Sequence, residues 1–426
     1  MNEPLRLRRN SLKYEVNCGL SLLGAEAYVK GMKTEFDILI IGAGLVGLTT
    51  ALACAENGVR IAILDRLAVA AGEDDRASAL SSTSLRLFEN LGVDISDHLQ
   101  TIQNMLVTDG APDSPWRLHF EGEGEDENLG ALIENPALKA ALINRVTQSK
   151  FIRIFAPIEI QNFEEDVAKV DVETDQGTLT ASLLIAADGR NSNFRQNAGI
   201  ASQRFDYDAA SLVTTISHSL PHEGLAWQRM IKGGALAVLP LTGDRSQIVW
   251  SGPVKAIEAA GTVAEADFLA LLSEKMEGYL GEMHCIAPRQ TYPLRLQVAD
   301  RFSKGRVALV GDAAHVIHPL AGQGLNLGLR DAAALADGVK TAIDTGQDIG
   351  VAALLDYDLW RNIDTRSLGL LTHVISEVSG TKLAVLDHVK RLSLALTNRS
   401  SALKSALQSR AAGQGRELPK LMRRRD

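Results

Sequence analysis

Residues 37–65 read DILIIGAGLVGLTTALACAENGVRIAILD, and this unit constrains the fold more than any other part of the chain. DILII is a buried-strand run. GAGLVG places glycines at Gly42, Gly44 and Gly47. LTTALACAENG carries small and apolar residues at helical spacing and ends on Gly58, a C-cap candidate. VRIAILD is a second strand, closed by Asp65. The three glycines act differently. Gly42 makes the tight turn, Gly44 lets backbone approach a pyrophosphate, and Gly47 lets helix and strand pack closely. The helix N-terminus then faces the phosphates. Asp65, eighteen residues past Gly47, can accept hydrogen bonds from a ribose. The unit predicts a parallel, dinucleotide-binding sheet and does not distinguish NAD from FAD.

At 426 residues the chain is too long for one ordinary core, so two or three domains are expected. A net charge of −8 argues against nucleic acid as a partner. Charge is uneven, however: Lys404, Arg410, Arg416, Lys420, Arg423, Arg424 and Arg425 face only Glu417 and Asp426 after residue 399. Such a basic end is either a frayed, solvated terminus or a patch for an anionic lipid surface or a partner. Cys18, Cys54 and Cys285 show no CxxC spacing, which gives neither a disulfide framework nor a zinc signature and fits a reducing compartment. No apolar run reaches about 18 residues, so no membrane-spanning helix is expected and any membrane relation must be peripheral; the expected location is the cytoplasm, either free or peripheral to the inner membrane. Residues 1–32 lack periodicity and are expected to lie outside the fold. Met32 is a candidate true start; Glu3 and Glu15 count against a transit peptide.

Between the first unit and residue 203, EDDRASALSSTSLRLFENL contains Arg76 before a capped helix, with Ser82 or Thr83 available at its start. NPALKAALINRV starts a helix with Pro136 at its first position. SLLIAA is a buried strand running into Asp188 and Gly189, a second organised turn at a strand end. From 204 to 292 alternating runs such as SLVTTISHSL, GALAVLPLTG and RSQIVWSG predict a mostly antiparallel sheet. Leu236, Val238, Leu239 and Pro240 are either pocket roof or plain core.

Residues 306–328 form a second glycine cluster, RVALVGDAAHVIHPLAGQGLNLG. A short strand ends in Gly311 and Asp312, a loop holds Pro319, and a helix starts near Gly322, Gln323 and Gly324. His315 and His318 suggest a metal, but Pro319 and the glycines break any continuing helix and no third ligand has motif spacing. The expectation is therefore no metal. Asp312 is placed to bond a polyol hydroxyl, and the backbone N–H groups of 322–324 can stabilise negative charge on a flat ring.

GAGLVG with Asp65, DRASALS, ADGRNS and RVALVGDAAHVIHPLAGQGLNLGLRDAAALA occur in an order and spacing that resemble the class A flavoprotein aromatic monooxygenases, the para-hydroxybenzoate hydroxylase group. LGALIENPALKAAL, RFDYDAA and TYPLRLQVADRF bring it nearest to the ubiquinone-biosynthesis hydroxylases, over roughly 33–412. The resemblance implies an α/β fold: a Rossmann-like FAD-binding domain with an inserted, mostly antiparallel substrate sheet and C-terminal helices. Residues 33–101, 135–203 and 293–345 would form the FAD domain, 102–134 with 204–292 the substrate domain, and 346–426 a helical region with a basic tail.

FAD is the implied cofactor. Gly42, Gly44 and Gly47 would hold its diphosphate, and Asp65, where the subfamily often has Glu, its adenosine ribose. Arg76 would lie near the diphosphate. Asp188 and Gly189 belong to the motif linked to both FAD and NAD(P)H. Gly311 and Asp312 would bind the ribityl–diphosphate part, and Pro319, Gly322, Gln323 and Gly324 would line the isoalloxazine. The implied reaction inserts one oxygen atom from O2 into the ring of a polyprenyl phenol at the expense of NAD(P)H or another donor. Subunits of a quinone-biosynthesis complex are implied partners, and segment 382–396 could cover the exit of the polyprenyl tail or dock such partners. His218, His222 and Tyr292 are candidates for a phenol-proton acceptor. Hydroxylation of a soluble aromatic in catabolism, or a non-catalytic flavoprotein subunit, are the competing functions.

Overall fold

The computed structural model describes residues 34–69, 74–110, 112–114, 117–121, 129–317, 323–362, 364, 365 and 418–424. The late start at Met32, Pro319, Gly322, His318 and the 382–396 segment lie outside the described residues. Strands Ile38–Ile41, Ile61–Leu64, Ile152–Phe155, Leu183–Ala186 and Val307–Leu309 form a parallel sheet, extended at one edge by the antiparallel Ser303–Lys304. The runs ILII, IAIL, LLIA and VAL are buried at every position, as expected of strands covered on both faces. Helices Leu45–Ala55, Asn135–Thr147 and Gln323–Asp344 contribute to the same core.

Thr34–Glu35, Ile160–Glu165, Val170–Thr174 and Gly177–Ala181 make a four-stranded sheet at the side. Ala77–Leu80, Gln100–Thr101 and Ala131–Glu134 make a three-stranded one. The long strands Ser202–His218, Leu225–Ile231, Gly234–Leu241, Arg245–Pro253 and Gln290–Ala299 build a nine-stranded sheet with Asn104–Thr108, Arg117–Glu121, Met283–Cys285 and His315–Val316. Its pairs are antiparallel except Leu225–Ile231 with Asn104–Thr108. Two strands of this sheet come from beyond residue 292 in whole or in part, so position 293 falls inside a continuous strand.

Cross-strand pairing sorts that sheet into two faces. Leu106, Leu212, Trp227, Leu236, Val238, Ile248 and Trp250 share one face and pack on Ile257, Phe268, Leu272 and Met276 of helices Val254–Thr262 and Glu265–Met276. Leu236 and Val238 are thus plain core. Leu239 points the other way and packs against the cluster of Ile102, Leu132, Ala226 and Leu241.

The chain end is docked, not frayed, over residues 418–424. Met422 is fully buried. Asn90 donates to the carbonyls of Leu421 (2.8 Å) and Arg423 (3.0 Å), and the Lys420 N–H donates to Asp337 (2.9 Å). Among the described residues no helix is long and apolar enough to cross a membrane.

Candidate active site

Three turns follow the C-terminal ends of three adjacent parallel strands, the position where open α/β sheets bind ligands. The first is GAGLVG. Gly42 has φ +107°, and a side chain there would press its Cβ to 2.4 Å from the Ala187 carbonyl oxygen. At Gly47 a Cβ would stand 2.0 Å from the Gly42 oxygen. Gly44 differs, because its Cβ would meet nothing within 4 Å. It is the N-cap of the eleven-residue helix and makes no side-chain cap bond. An uncapped helix start beside open space suits a phosphate. Asp65 is half-buried against this turn: Oδ2 accepts from the Ala43 N–H (2.7 Å) and Oδ1 from the Leu67 N–H (2.9 Å).

The second turn holds Asp188 and Gly189, the latter at φ +85°. Asp188 Oδ2 accepts from the Phe194 N–H (3.3 Å), whereas Oδ1 is buried with no protein partner. Burial pushes this carboxyl up, against hydrogen bonds from Ser192 and the backbone that follows. A buried oxygen of this kind calls for a donor from outside the protein. Arg195 reaches from here to the Ala313 carbonyl (2.8 Å), which ties the second turn to the third.

The third turn is Gly311–His315, with Gly311 at φ +59°. Its space is set by Val46 of the first helix, whose Cγ2 would lie 3.1 Å from a Cβ at Gly311 and 2.7 Å from one at Gly328. Asp312 is exposed on the turn, while its neighbours Gly311 and Ala313 are buried. Gln323 and Gly324 open the 22-residue helix, and Gly324 faces open space.

Sequence reasoning missed what lies behind this turn. Asp331 is fully buried in the same helix. It accepts from the Gly311 N–H (2.9 Å), His315 Nε2 (2.7 Å) and Arg361 Nε (2.7 Å). Burial would raise its carboxyl; His315 and Arg361 outweigh that and hold it below the usual range. The visible signal was an acid at a helical position flanked by Leu329, Ala332 and Ala333, all core residues. His315, a metal candidate by spacing alone, is one of its donors.

Arg76 makes two bonds to Asp74 (2.6 and 2.8 Å), and its guanidinium lies 5.4 Å from the Tyr292 ring centre. The Asp74 hydrogen bonds hold its charge firmly, with smaller attraction from Tyr292 and Asp312. Arg76 therefore stands beside the nine-stranded sheet at Tyr292, within electrostatic reach of Asp312. The same sheet face is fixed by Gln247, which accepts from the Ala77 N–H (2.5 Å) and donates to its carbonyl (3.2 Å).

On that face one row crosses six strands in register: Gln290, Val213, Val249, Ala237, Gln228 and Val107. All six are half-buried, and its four apolar members belong to none of the hydrophobic cores. Tyr292 is on the same face one row along, paired with Ser211, and its hydroxyl donates to Gln290 Oε1. The other acid–base candidates are engaged elsewhere. His218 bonds the Leu220 carbonyl (2.8 Å) and Ser246 Oγ (3.0 Å), and burial lowers its basicity. His222 Nε2 faces the Leu241 and Gly243 carbonyls (2.9 and 3.0 Å), and its Nδ1 accepts from Gly224. Both rings tie loops together.

A family profile described as an FAD binding domain matches residues 35–356. The chain is 34% identical to ubiquinone hydroxylase UbiL of Rhodospirillum rubrum, covering 91% of this chain and 92% of that one. It is 31% identical to ubiquinone hydroxylase UbiM of Neisseria meningitidis (76% and 73% covered). With human ubiquinone biosynthesis monooxygenase COQ6 the identity is 29% (89% and 93%). Two solved structures share the fold: p-nitrophenol 4-monooxygenase PnpA from Pseudomonas putida (TM-score 0.77, 18% identity, 91% and 100% covered), and Klebsiella pneumoniae HpxO with FAD and uric acid (0.71, 20%, 91% and 98%). The chain belongs to the ubiquinone-biosynthesis hydroxylase family of FAD-dependent monooxygenases, and FAD is its cofactor.

Proposed function

We propose that the protein hydroxylates the aromatic ring of a polyprenyl phenol intermediate of ubiquinone biosynthesis, with O2 as oxygen source and NAD(P)H or another donor as reductant. The observation that carries this reading is the half-buried apolar run Val213–Val249–Ala237, with Val107 beyond Gln228, on the sheet face that also holds Tyr292 beside Arg76. An aromatic ring with an apolar tail suits such a floor, and Gln290 at one end and Gln228 between Ala237 and Val107 offer amides to its polar substituents.

The residues fit FAD. Gly44 and the uncapped helix start would take the diphosphate, with Gly42 and Gly47 allowing that close approach. Asp65 holds the loop that meets the adenosine ribose and can accept from it. Asp188, with its unpartnered Oδ1, and Gly189 border the cofactor. Gly311 and Asp312 would meet the ribityl–diphosphate part; Arg76, drawn towards Asp312, would lie beside them. Pro319, Gly322, Gln323 and Gly324 would line the isoalloxazine. Bound FAD supplies the redox chemistry and oxygen activation. The chain's own work is to orient the ring over the apolar floor and keep water from it. Contact with the inner membrane would serve delivery of a lipid substrate, and quinone-biosynthesis subunits could present it.

Asp312→Ala should lower FAD occupancy with the far-UV circular dichroism unchanged, because the side chain is exposed and its loss opens no cavity. Normal flavin content in that variant would refute the assignment. Ala237→Phe should keep its flavin and lose at least about 10-fold in phenol-stimulated NAD(P)H oxidation, because the added ring fills the floor. Unchanged stimulation would place the substrate elsewhere. The decisive test is mass spectrometry of quinones in a deletion strain. An accumulated polyprenyl phenol lacking one hydroxyl is expected. Unchanged quinone would favour a soluble aromatic substrate, and a complementing variant without phenol-stimulated oxidation would favour the non-catalytic role.

A further inference from the structure

The Asp331 carboxylate gathers donors from two parts of the chain that are far apart in sequence. On Oδ2 it receives the Gly311 N–H (2.9 Å) and His315 Nε2 (2.7 Å), the two ends of the turn that presents Asp312. A carboxylate can only accept, so the hydrogen sits on His315 Nε2. On Oδ1 it receives Arg361 Nε (2.7 Å). Arg361 is fully buried and also binds Asp364 (2.6 Å), which Arg330 reaches at 2.7 Å.

An ion pair that served packing alone would need one oxygen and no contact with the turn. Here the second oxygen spans the turn from end to end, where the backbone must reverse at positive φ. The segment carrying Arg361 is docked by further bonds. Tyr357 Oη donates to the Leu309 carbonyl (2.7 Å), on the strand that leads into the turn, and Asn362 donates to the Asp300 carbonyl (3.0 Å).

We infer that Asp331 is a positioning residue for the flavin turn and that, through Arg361, it couples FAD retention to docking of the 354–365 segment. The inference rests on the assignment of Asp312 to FAD. A carboxylate shared by both elements makes the coupling reciprocal: binding that favours the ordered turn favours the docked segment, and undocking weakens binding by the same factor. The cofactor grip thus extends beyond the glycine motifs to a segment that contributes none of the expected FAD contacts.

The test uses the full chain stripped of FAD and titrated with FAD, followed by flavin fluorescence and by hydrogen exchange of peptides covering 307–317 and 354–365. In the wild type, FAD should slow exchange in both peptides. In Asp331→Asn the Kd for FAD should rise about 10-fold, within the usual range of coupling factors, and FAD should no longer protect 354–365. His315→Phe keeps the Asp331–Arg361 pair and removes one turn donor. It decides the matter if Asp331→Asn does not fold, and should raise the Kd several-fold while leaving 354–365 docked in the apoprotein. Wild-type Kd and wild-type protection of 354–365 in His315→Phe, or in folded Asp331→Asn, would overturn the inference. Asp312→Ala is the control: unchanged affinity there would overturn the assignment of Asp312 itself, whereas loss there with no effect of the other two would overturn only the role of Asp331.

Discussion

Gly47→Ala should purify without its flavin. The new Cβ would stand 2.0 Å from the Gly42 oxygen and 3.3 Å from the Ala187 side chain, so the helix must leave the turn. Overpacking of this kind costs roughly 1–3 kcal/mol. The larger loss is geometric, because the helix start and the strand end no longer face one diphosphate. FAD affinity should fall at least about 100-fold, near 3 kcal/mol. The ratio of visible flavin absorbance to protein absorbance reads it directly, and wild-type flavin content would remove the glycine turn from the site. Gly44→Ala separates cofactor from fold. Its Cβ meets no protein atom, so the apoprotein should melt as the wild type does and lose only affinity.

The largest effect on stability is expected from Arg361→Met. The variant leaves the buried Asp331 and the half-buried Asp364 without their shared cation. Breaking a buried pair from one side costs roughly 3–5 kcal/mol, and a fall in Tm on the order of 10 °C follows. The pH dependence has a definite sign. Both carboxyls are held below the usual range in the native protein, as His315 and Arg361 do for Asp331, and Arg361 and Arg330 for Asp364, each against burial. Depressed carboxyls stabilise the fold above their unfolded value, about 4, and lose that contribution as pH falls through the folded value. In the variant the carboxyls gain less from being charged, so its deficit should be full at neutral pH and shrink as pH falls below about 4. A deficit independent of pH would mean that lost packing, not charge, dominates.

How much of this was legible before the structure varies by element. GAGLVG, the apolar runs around it and the strand ends at Asp188 and Gly311 are local patterns. Each depends on steric rules within a few residues, so the parallel sheet and its three turns could be read directly. The alternating runs from 204 onward showed that a second sheet exists but not which face is which. Leu236 and Leu239 look alike in sequence, yet one belongs to the core with Phe268 and Leu272 while the other packs against the cluster of Ile102 and Leu132. Arg76 was expected near the diphosphate. Its position beside Tyr292 could not be read from the sequence: Asp74, two residues earlier, holds one edge of its guanidinium through Nε and Nη2.

The sequence by itself determined the dinucleotide unit, the order of the three strand-end turns and the family. Turn geometry and strand burial are encoded over short spans, where a glycine or an apolar run has few physical solutions. Only the tertiary structure decided which face of the large sheet is left for a substrate, and that Asp331 and Arg361 stand behind the third turn. Those depend on contacts between residues far apart in the chain, such as Ala77 with Gln247, 170 positions away. The free energy of a buried charge is set by the partners that reach it, and no spacing along the chain names them.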